Sequence, residues 1–314
     1  MTSSIKVGIS SCLLGQQVRY DGGHKLSSLC VNELSRLFEL VPSCPEAGAG
    51  LGVPRPAVRL VGNAAAPRAR GVENAALDVT DALQDYAARR IPELTDLCGY
   101  IFIRNSPSCG LLRVPLFDAN GTPTDETSRG IFAAAFTAAY PLLPVDEEAR
   151  LHDAALRESF ITRVLATFEW KQQQPSTRAA LTGFHARYKY SVMAHSLNHY
   201  QQLGRMLAQS SGEDVAQLGA RYFTGLMEGL SQPATRGSHT NVLMHLQGYL
   251  KTTLRDDGKR QLEDMIEAYR HGDVALVEPV RLLRHLFERY PNPYIARQAY
   301  LQSHCDDARG ELVT

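Results

Sequence analysis

The sequence has no surplus of charge of either sign. Its 314 residues carry 33 Lys and Arg against 33 Asp and Glu, a formal net charge of zero. Without a pervasive basic field there is little to hold a duplex phosphate backbone, so duplex nucleic acid is not an expected partner. Long hydrophobic runs are missing too. Nothing approaches the ~20 consecutive apolar residues that cross a bilayer, and Met1-Thr-Ser-Ser-Ile-Lys6 shows neither the apolar core nor the cleavage site of a signal peptide. The expectation is a cytoplasmic protein with no membrane partner. No CxxC pair, internal repeat or low-complexity segment occurs. Six cysteines are present, Cys12, Cys30, Cys44, Cys98, Cys109 and Cys305, and in a reducing compartment they do not form a disulfide framework.

At this length two hydrophobic cores are expected, since single cores stop growing near ~250 residues. Three short β-type runs in the first third each lead into a loop rich in Gly, Pro or Ser. Ile5, Val7 and Ile9 precede Ser10-Ser11-Cys12-Leu13-Leu14-Gly15. Leu40-Val41 precede Pro42-Ser43-Cys44-Pro45-Glu46, and Tyr100-Ile101-Phe102-Ile103 precede Arg104-Asn105-Ser106-Pro107-Ser108-Cys109-Gly110. Helical patterns lie between them, over Leu29 to Phe38 and over Asp81 to Leu97 behind a candidate N-cap at Thr80. The alternation of strand and helix predicts an α/β fold with a parallel sheet. The proline-bearing, acidic segment from Pro141 to about Asp153 reads as a boundary, and no strand pattern follows Pro144. Beyond it, Leu262, Met265, Ile266 and Tyr269 keep helical spacing, and Leu282, Leu283, Leu286, Phe287 and Tyr290 repeat it behind Pro279. The expected organisation is an α/β domain over residues 1–146 and an all-α domain over residues 147–314.

In a parallel sheet the carboxyl ends of the strands form the ligand-binding edge, and Cys12, Cys44 and Cys109 all fall at such positions. A free cysteine is commonly a small buried hydrophobe. Three in post-strand loops, each beside Pro, Gly or Ser, favour ligation instead. Cys30 sits inside a helix pattern, Cys98 leads a strand and Cys305 lies in the tail, which assigns those three to packing or the surface. A structural zinc normally takes four protein ligands, whereas three thiolates leave one position of a cubane iron–sulfur cluster open. Spacing alone does not separate zinc from iron. Glu46 would stand beside any bound centre, within reach for proton exchange, or else be a solvated loop carboxylate. Ser106 is either a donor to substrate or the turn residue before Pro107. The run Val18 to Lys25 is a surface hairpin turn or a binding loop, with Arg19 and Asp21 as its candidate contacts. His195 and His199, four apart, are expected to share a helix face, with His245 and His285 as companions. No Glu follows His195 as the helical zinc-protease motif requires, so these are read as core or interface histidines.

Taken in order, Ile9-Ser-Ser-Cys12-Leu-Leu-Gly15, Val18-Arg-Tyr-Asp-Gly-Gly-His-Lys25, Cys44-Pro-Glu46 with Gly50-Leu51 and Pro54-Arg55, and Ser106-Pro-Ser-Cys109-Gly110 resemble the motifs of the thiouracil desulfidase (TudS) family. The Ala- and Arg-rich stretch from Val58 to Arg70 offers no motif. Tyr188-Lys-Tyr-Ser-Val-Met-Ala-His195, Asn241-Val-Leu-Met-His245 and Glu278-Pro-Val-Arg-Leu-Leu-Arg-His285 resemble a helical domain of unknown role often fused to that catalytic domain. The resemblance implies a 4Fe-4S cluster held by Cys12, Cys44 and Cys109, its fourth iron open to the sulfur of a thiolated base. It also implies Glu46 and Ser106 as active-site residues. Ser11, beside Cys12, joins Arg19 and Asp21 as a candidate substrate contact. The implied reaction is a non-redox, hydrolytic exchange of C=S for C=O on a thiouracil-type ring, with hydrosulfide released. The substrate would be a thionucleobase or thionucleoside, and thiolated tRNA is a third candidate. Two readings from other classes stay open: a non-catalytic zinc or iron–sulfur module that recruits RNA or protein, and an aconitase-like hydro-lyase.

Overall fold

The computed structural model describes residues 4–303, so Cys305 lies outside the described residues. The chain divides into two compact units between Arg157 and Glu158. The first is α/β and the second is built from helices, as the sequence pattern predicts.

Eight strands are described in the first unit: β1 (Lys6–Ser10), β2 (Glu39–Ser43), β3 (Val58–Asn63), β4 (Ala66–Gly71), β5 (Gly99–Phe102), β6 (Val114–Phe117), β7 (Pro123–Ser128) and β8 (Val145–Glu147). They form two four-stranded sheets, one ordered β2-β1-β5-β8 and one ordered β4-β3-β6-β7. The first is parallel throughout, with Ile9 opposite both Pro42 and Ile101 and with Ile101 opposite Asp146. Such pairing needs a crossover between strands, which is where the chain places its helices. The helix Ile131–Ala139 lays Phe132 and Phe136 against Tyr100 and Phe102 of β5, all four fully buried. The Tyr100 and Phe102 rings stack at 4.2 Å, and Tyr100 meets Phe136 at 4.8 Å. Each such ring contributes about 1.5–3 kcal/mol by leaving water.

Three local expectations in the first unit are corrected. Val145–Glu147 is a strand, although no pattern announces it, because a three-residue edge strand is too short to show a period of two. Its Glu147 is buried and accepts hydrogen bonds from the backbone N–H groups of Leu111 and Leu112. The second sheet was likewise not legible: the Ala- and Arg-rich stretch pairs as the antiparallel hairpin β3–β4, with alternation too weak to read. Thr80 is the first residue of the helix Thr80–Arg90 rather than its cap, and its hydroxyl accepts from the Ala69 N–H of β4.

In the second unit, the helices Asp256–His271 and Val277–Arg289 bury Leu262, Ile266, Leu283 and Phe287 as their spacing predicts. His195 and His199 do not share a helix. His195 ends Arg178–His195, the chain turns extended at Ser196, and the Ser196 hydroxyl caps Leu197–Gln209 by accepting from the His199 N–H. His195 is buried, with Nδ1 2.6 Å from the Gln232 carbonyl oxygen, while His245 and His285 are exposed. Among the described residues no helix is long and apolar enough to cross a membrane.

β1 and β5 pack closely at Gly8, where a Cβ atom would lie 2.2 Å from Tyr100 Cδ2 and 2.9 Å from Leu97 Cδ1. Both neighbours are buried, so neither has room to retreat. Gly8→Ala is therefore expected to destabilise the protein by about 1–3 kcal/mol through overpacking, read as a lower midpoint of thermal unfolding. An unchanged midpoint would contradict this packing of β1 on β5.

Candidate active site

The carboxyl ends of β2, β1 and β5 lie side by side, and each delivers a cysteine. After β1 the chain makes one helical turn, Ser11–Leu14, closed by Gly15 at φ +83°. The Cys12 carbonyl accepts from the Gly15 and Lys25 N–H groups, which ties the Val18–Lys25 loop back over the turn. After β2, Cys44 is extended and Pro45 opens a short helical turn whose Gly48 N–H returns to the Cys44 carbonyl. A side chain at Gly48 would collide with the Tyr86 ring, so the turn sits directly on the helix Thr80–Arg90.

The third loop, after β5, is bound from two directions. Ser106 Oγ accepts from the Cys109 N–H at 3.0 Å and from the Ser108 N–H at 3.3 Å. The first N–H groups of Ile131–Ala139, which have no partner within their own helix, donate to the Pro107 and Ser108 carbonyls. Gly130 permits this, since a Cβ there would lie 2.5 Å from the Ser108 carbonyl carbon. Asn105 takes a left-handed conformation at φ +59°, tolerated by Asn more readily than by most residues.

Cys12, Cys44 and Cys109 line one cavity of about 430 Å³ together with Glu46 and Ser106. That volume falls within the usual span of small-molecule sites, about 300–1,000 Å³. Ser11 and Arg19 also line it. Asp21 is not among its lining residues: its carboxylate accepts from the Gly23 N–H and lies 3.7 Å from Arg19 Nε, shaping the turn. Cys30 and Cys98 are buried elsewhere in the packing.

Burial dominates the chemistry of the three thiols. It pushes Cys12 up to about 11, with the Cys44 charge adding and the Arg19 guanidinium opposing. Burial likewise raises Cys44, and it raises Cys109, to which the Cys44 charge again adds. Cys44 thus couples electrically to both of the others. Without a cation the three stay protonated near neutrality; a bound metal centre would take them as thiolates and release protons.

Glu46 is held at both oxygens. Arg55, with only 4% of its side chain exposed, reaches Glu46 Oε2 through Nε at 2.8 Å and Nη2 at 2.7 Å. The same guanidinium donates to the Val18 and Gly52 carbonyls, which fixes it against the loops on either side. Ser108 Oγ donates to Glu46 Oε1 at 2.6 Å. Neither Arg55 nor Ser108 was singled out from the sequence. Both lie inside quoted motifs, but nothing in a linear spacing of nine or 62 residues announces that they meet one carboxylate.

Among the described residues, no three His, Cys, Asp or Glu side chains sit closely enough to hold a single metal ion. A tetrahedral zinc with bonds of ~2.3 Å needs its sulfurs only ~3.8 Å apart. Three thiols lining one cavity form a donor set that suits a thiophilic metal centre.

Residues 7–148 match the family described as 2-thiouracil desulfurase, and residues 189–305 match a family described as a protein of unknown function, DUF1722. The chain is 32% identical over 148 residues to the uncharacterized protein YbgA of Escherichia coli (strain K12), covering 46% of this chain and 88% of that one. It is 31% identical over 134 residues to the uncharacterized protein YbbK of Bacillus subtilis (strain 168), covering 40% of this chain and 85% of that one. Among solved structures, the [4Fe-4S]-dependent thiouracil desulfidase TudS aligns with a TM-score of 0.40 and 27% identity, over 49% of this chain and 98% of that one. The chain belongs, through its α/β unit, to the TudS family of 2-thiouracil desulfurases, and joins to it a C-terminal part of the DUF1722 family.

Proposed function

We propose that the first unit removes sulfur from a thiouracil-type base, using a 4Fe-4S cluster held by Cys12, Cys44 and Cys109, and that the helical unit is accessory to it. The observation that carries this reading is the convergence of three thiols from three separate loops on one cavity that also holds Glu46 and Ser106. The family match supports a thiouracil-type base as the substrate class; a thionucleoside or thiolated tRNA would present the same ring.

When bound, the cluster would supply a Lewis-acidic iron for the thiocarbonyl sulfur, leaving the ring carbon more electrophilic. The chain's own residues do the rest. Glu46, anchored at one oxygen by Arg55 and at the other by Ser108, holds a fixed carboxylate beside the cavity and is the group on which the proton released by the attacking water ends. Ser106 orients the base at the mouth of the Cys109 loop. Water supplies the oxygen that replaces sulfur, no electrons are exchanged, and hydrosulfide leaves.

Replacing Cys12, Cys44 or Cys109 by Ala is expected to abolish iron binding after anaerobic reconstitution, whereas Cys30→Ala and Cys98→Ala should keep the full iron content. Full occupancy in Cys109→Ala would sink the ligand set. Glu46→Gln keeps the size of the side chain and removes its proton acceptance, so iron should load normally while sulfide release from thiouracil falls by ~10²-fold or more. Wild-type turnover in that variant would move the base elsewhere, and loss of iron would make Glu46 a support of the cluster.

A further inference from the structure

We propose that Ser108 relays a proton between Ser106 and Glu46, an inference that rests on the desulfidase reading and assigns that site a third hydroxyl-bearing participant. A serine hydroxyl has one hydrogen to give. Ser108 Oγ lies 2.6 Å from Glu46 Oε1 and 3.0 Å from Ser106 Oγ. Two acceptors face the Ser108 hydrogen, and Glu46 Oε1 at 2.6 Å takes it ahead of Cys109 Sγ at 3.7 Å. The contact with Ser106 is therefore made by the Ser106 hydrogen, donated to Ser108. The three groups form a chain with one direction, Ser106 to Ser108 to Glu46, and only 1% of Ser108 is exposed.

The surroundings keep the chain in that direction. Arg55 occupies Glu46 Oε2 with two donors, which leaves Oε1 as the oxygen that faces Ser108. The backbone of Ser108 is pinned by the N-terminus of Ile131–Ala139, and its hydroxyl is held by Ser106 and Glu46. Ser106 accepts from two N–H groups of its own loop, and the longer of them, from Ser108 N at 3.3 Å, is the one an incoming proton displaces.

In the attack step, the water oxygen forms its bond to the ring carbon and gives one proton to Ser106 Oγ. The Ser106 proton passes to Ser108 Oγ and the Ser108 proton to Glu46 Oε1, while the C=S π pair moves onto sulfur. In the second step the C–S bond breaks with its electron pair on sulfur. The proton on Glu46 returns along the same path to sulfur, the remaining hydroxyl proton goes to solvent, and C=O forms. Ser108 lines the same cavity, and in this step it acts through Ser106 and Glu46.

The test uses the full-length, iron-loaded protein with 2-thiouracil as the probe. Ser108→Ala should keep its iron content and bind thiouracil with an affinity within about twofold of wild type, while turnover falls by ~10²-fold. Ser108→Thr restores a hydroxyl at the same point and should recover most of that loss. The dependence of turnover on the deuterium fraction of the solvent should be bowed in wild type, with more than one proton in flight, and linear in Ser108→Ala; a purely structural serine would not change its shape. Wild-type turnover in Ser108→Ala, or loss of iron from it, overturns the relay alone. A wild-type protein that holds its iron and releases no sulfide from thiouracil overturns the desulfidase reading, and the relay with it.

Discussion

Because β1 pairs in parallel with both β2 and β5, three loops leave the sheet from the same edge and in adjacent positions. No antiparallel arrangement of these strands would do this, since alternate loops would then leave from opposite ends. Cys12, Cys44 and Cys109 are separated by 32 and 65 residues in the chain, and only this pairing makes them neighbours. The aromatic packing of Tyr100, Phe102, Phe132 and Phe136 holds β5 in register beneath its loop, and Gly8 is the concession that lets Tyr100 lie flat against β1. Fold and site thus depend on one constraint.

The loops themselves are held by backbone hydrogen bonds more than by side chains. The Cys12 turn is closed by Gly15, the Cys44 turn by Pro45 and Gly48, and the Cys109 loop by its own serine and by a helix N-terminus. Such anchoring leaves the three thiols little freedom, which would lower the ordering cost of binding a centre there. The polar residues are no less fixed. Arg55 and Ser108 grip the two oxygens of Glu46 from opposite sides, so its carboxylate stays buried without being left unpaired.

Much of this was legible in the sequence, and what was not has a physical reason. The three β-type runs and their Gly-, Pro- and Ser-rich loops were readable because buried parallel strands and tight turns both have strong composition. Val145–Glu147 was not, being three residues long, and the hairpin of β3 and β4 was hidden by its alanines and arginines. The His195–His199 pair misled because a spacing of four suggests one helix, and the break at Ser196 depends on a single capping hydroxyl. In the site, the residue types pointed to ligation, and the resemblance named the cluster. The clamp on Glu46 was invisible, because a buried ion pair is a fact of tertiary structure that two residues in a motif do not reveal.

The central claim is that three thiols at the sheet edge hold a multi-iron centre that serves a desulfidation. The most direct measurement is anaerobic reconstitution of the full-length protein with iron and sulfide, followed by quantifying iron, visible absorption and sulfide released from 2-thiouracil. The account predicts a brown protein with about four irons per chain, as a 4Fe-4S cluster requires, releasing sulfide and forming uracil over many turnovers without an added reductant. A colourless protein that binds one zinc, or a loaded cluster that leaves thiouracil intact, would contradict it.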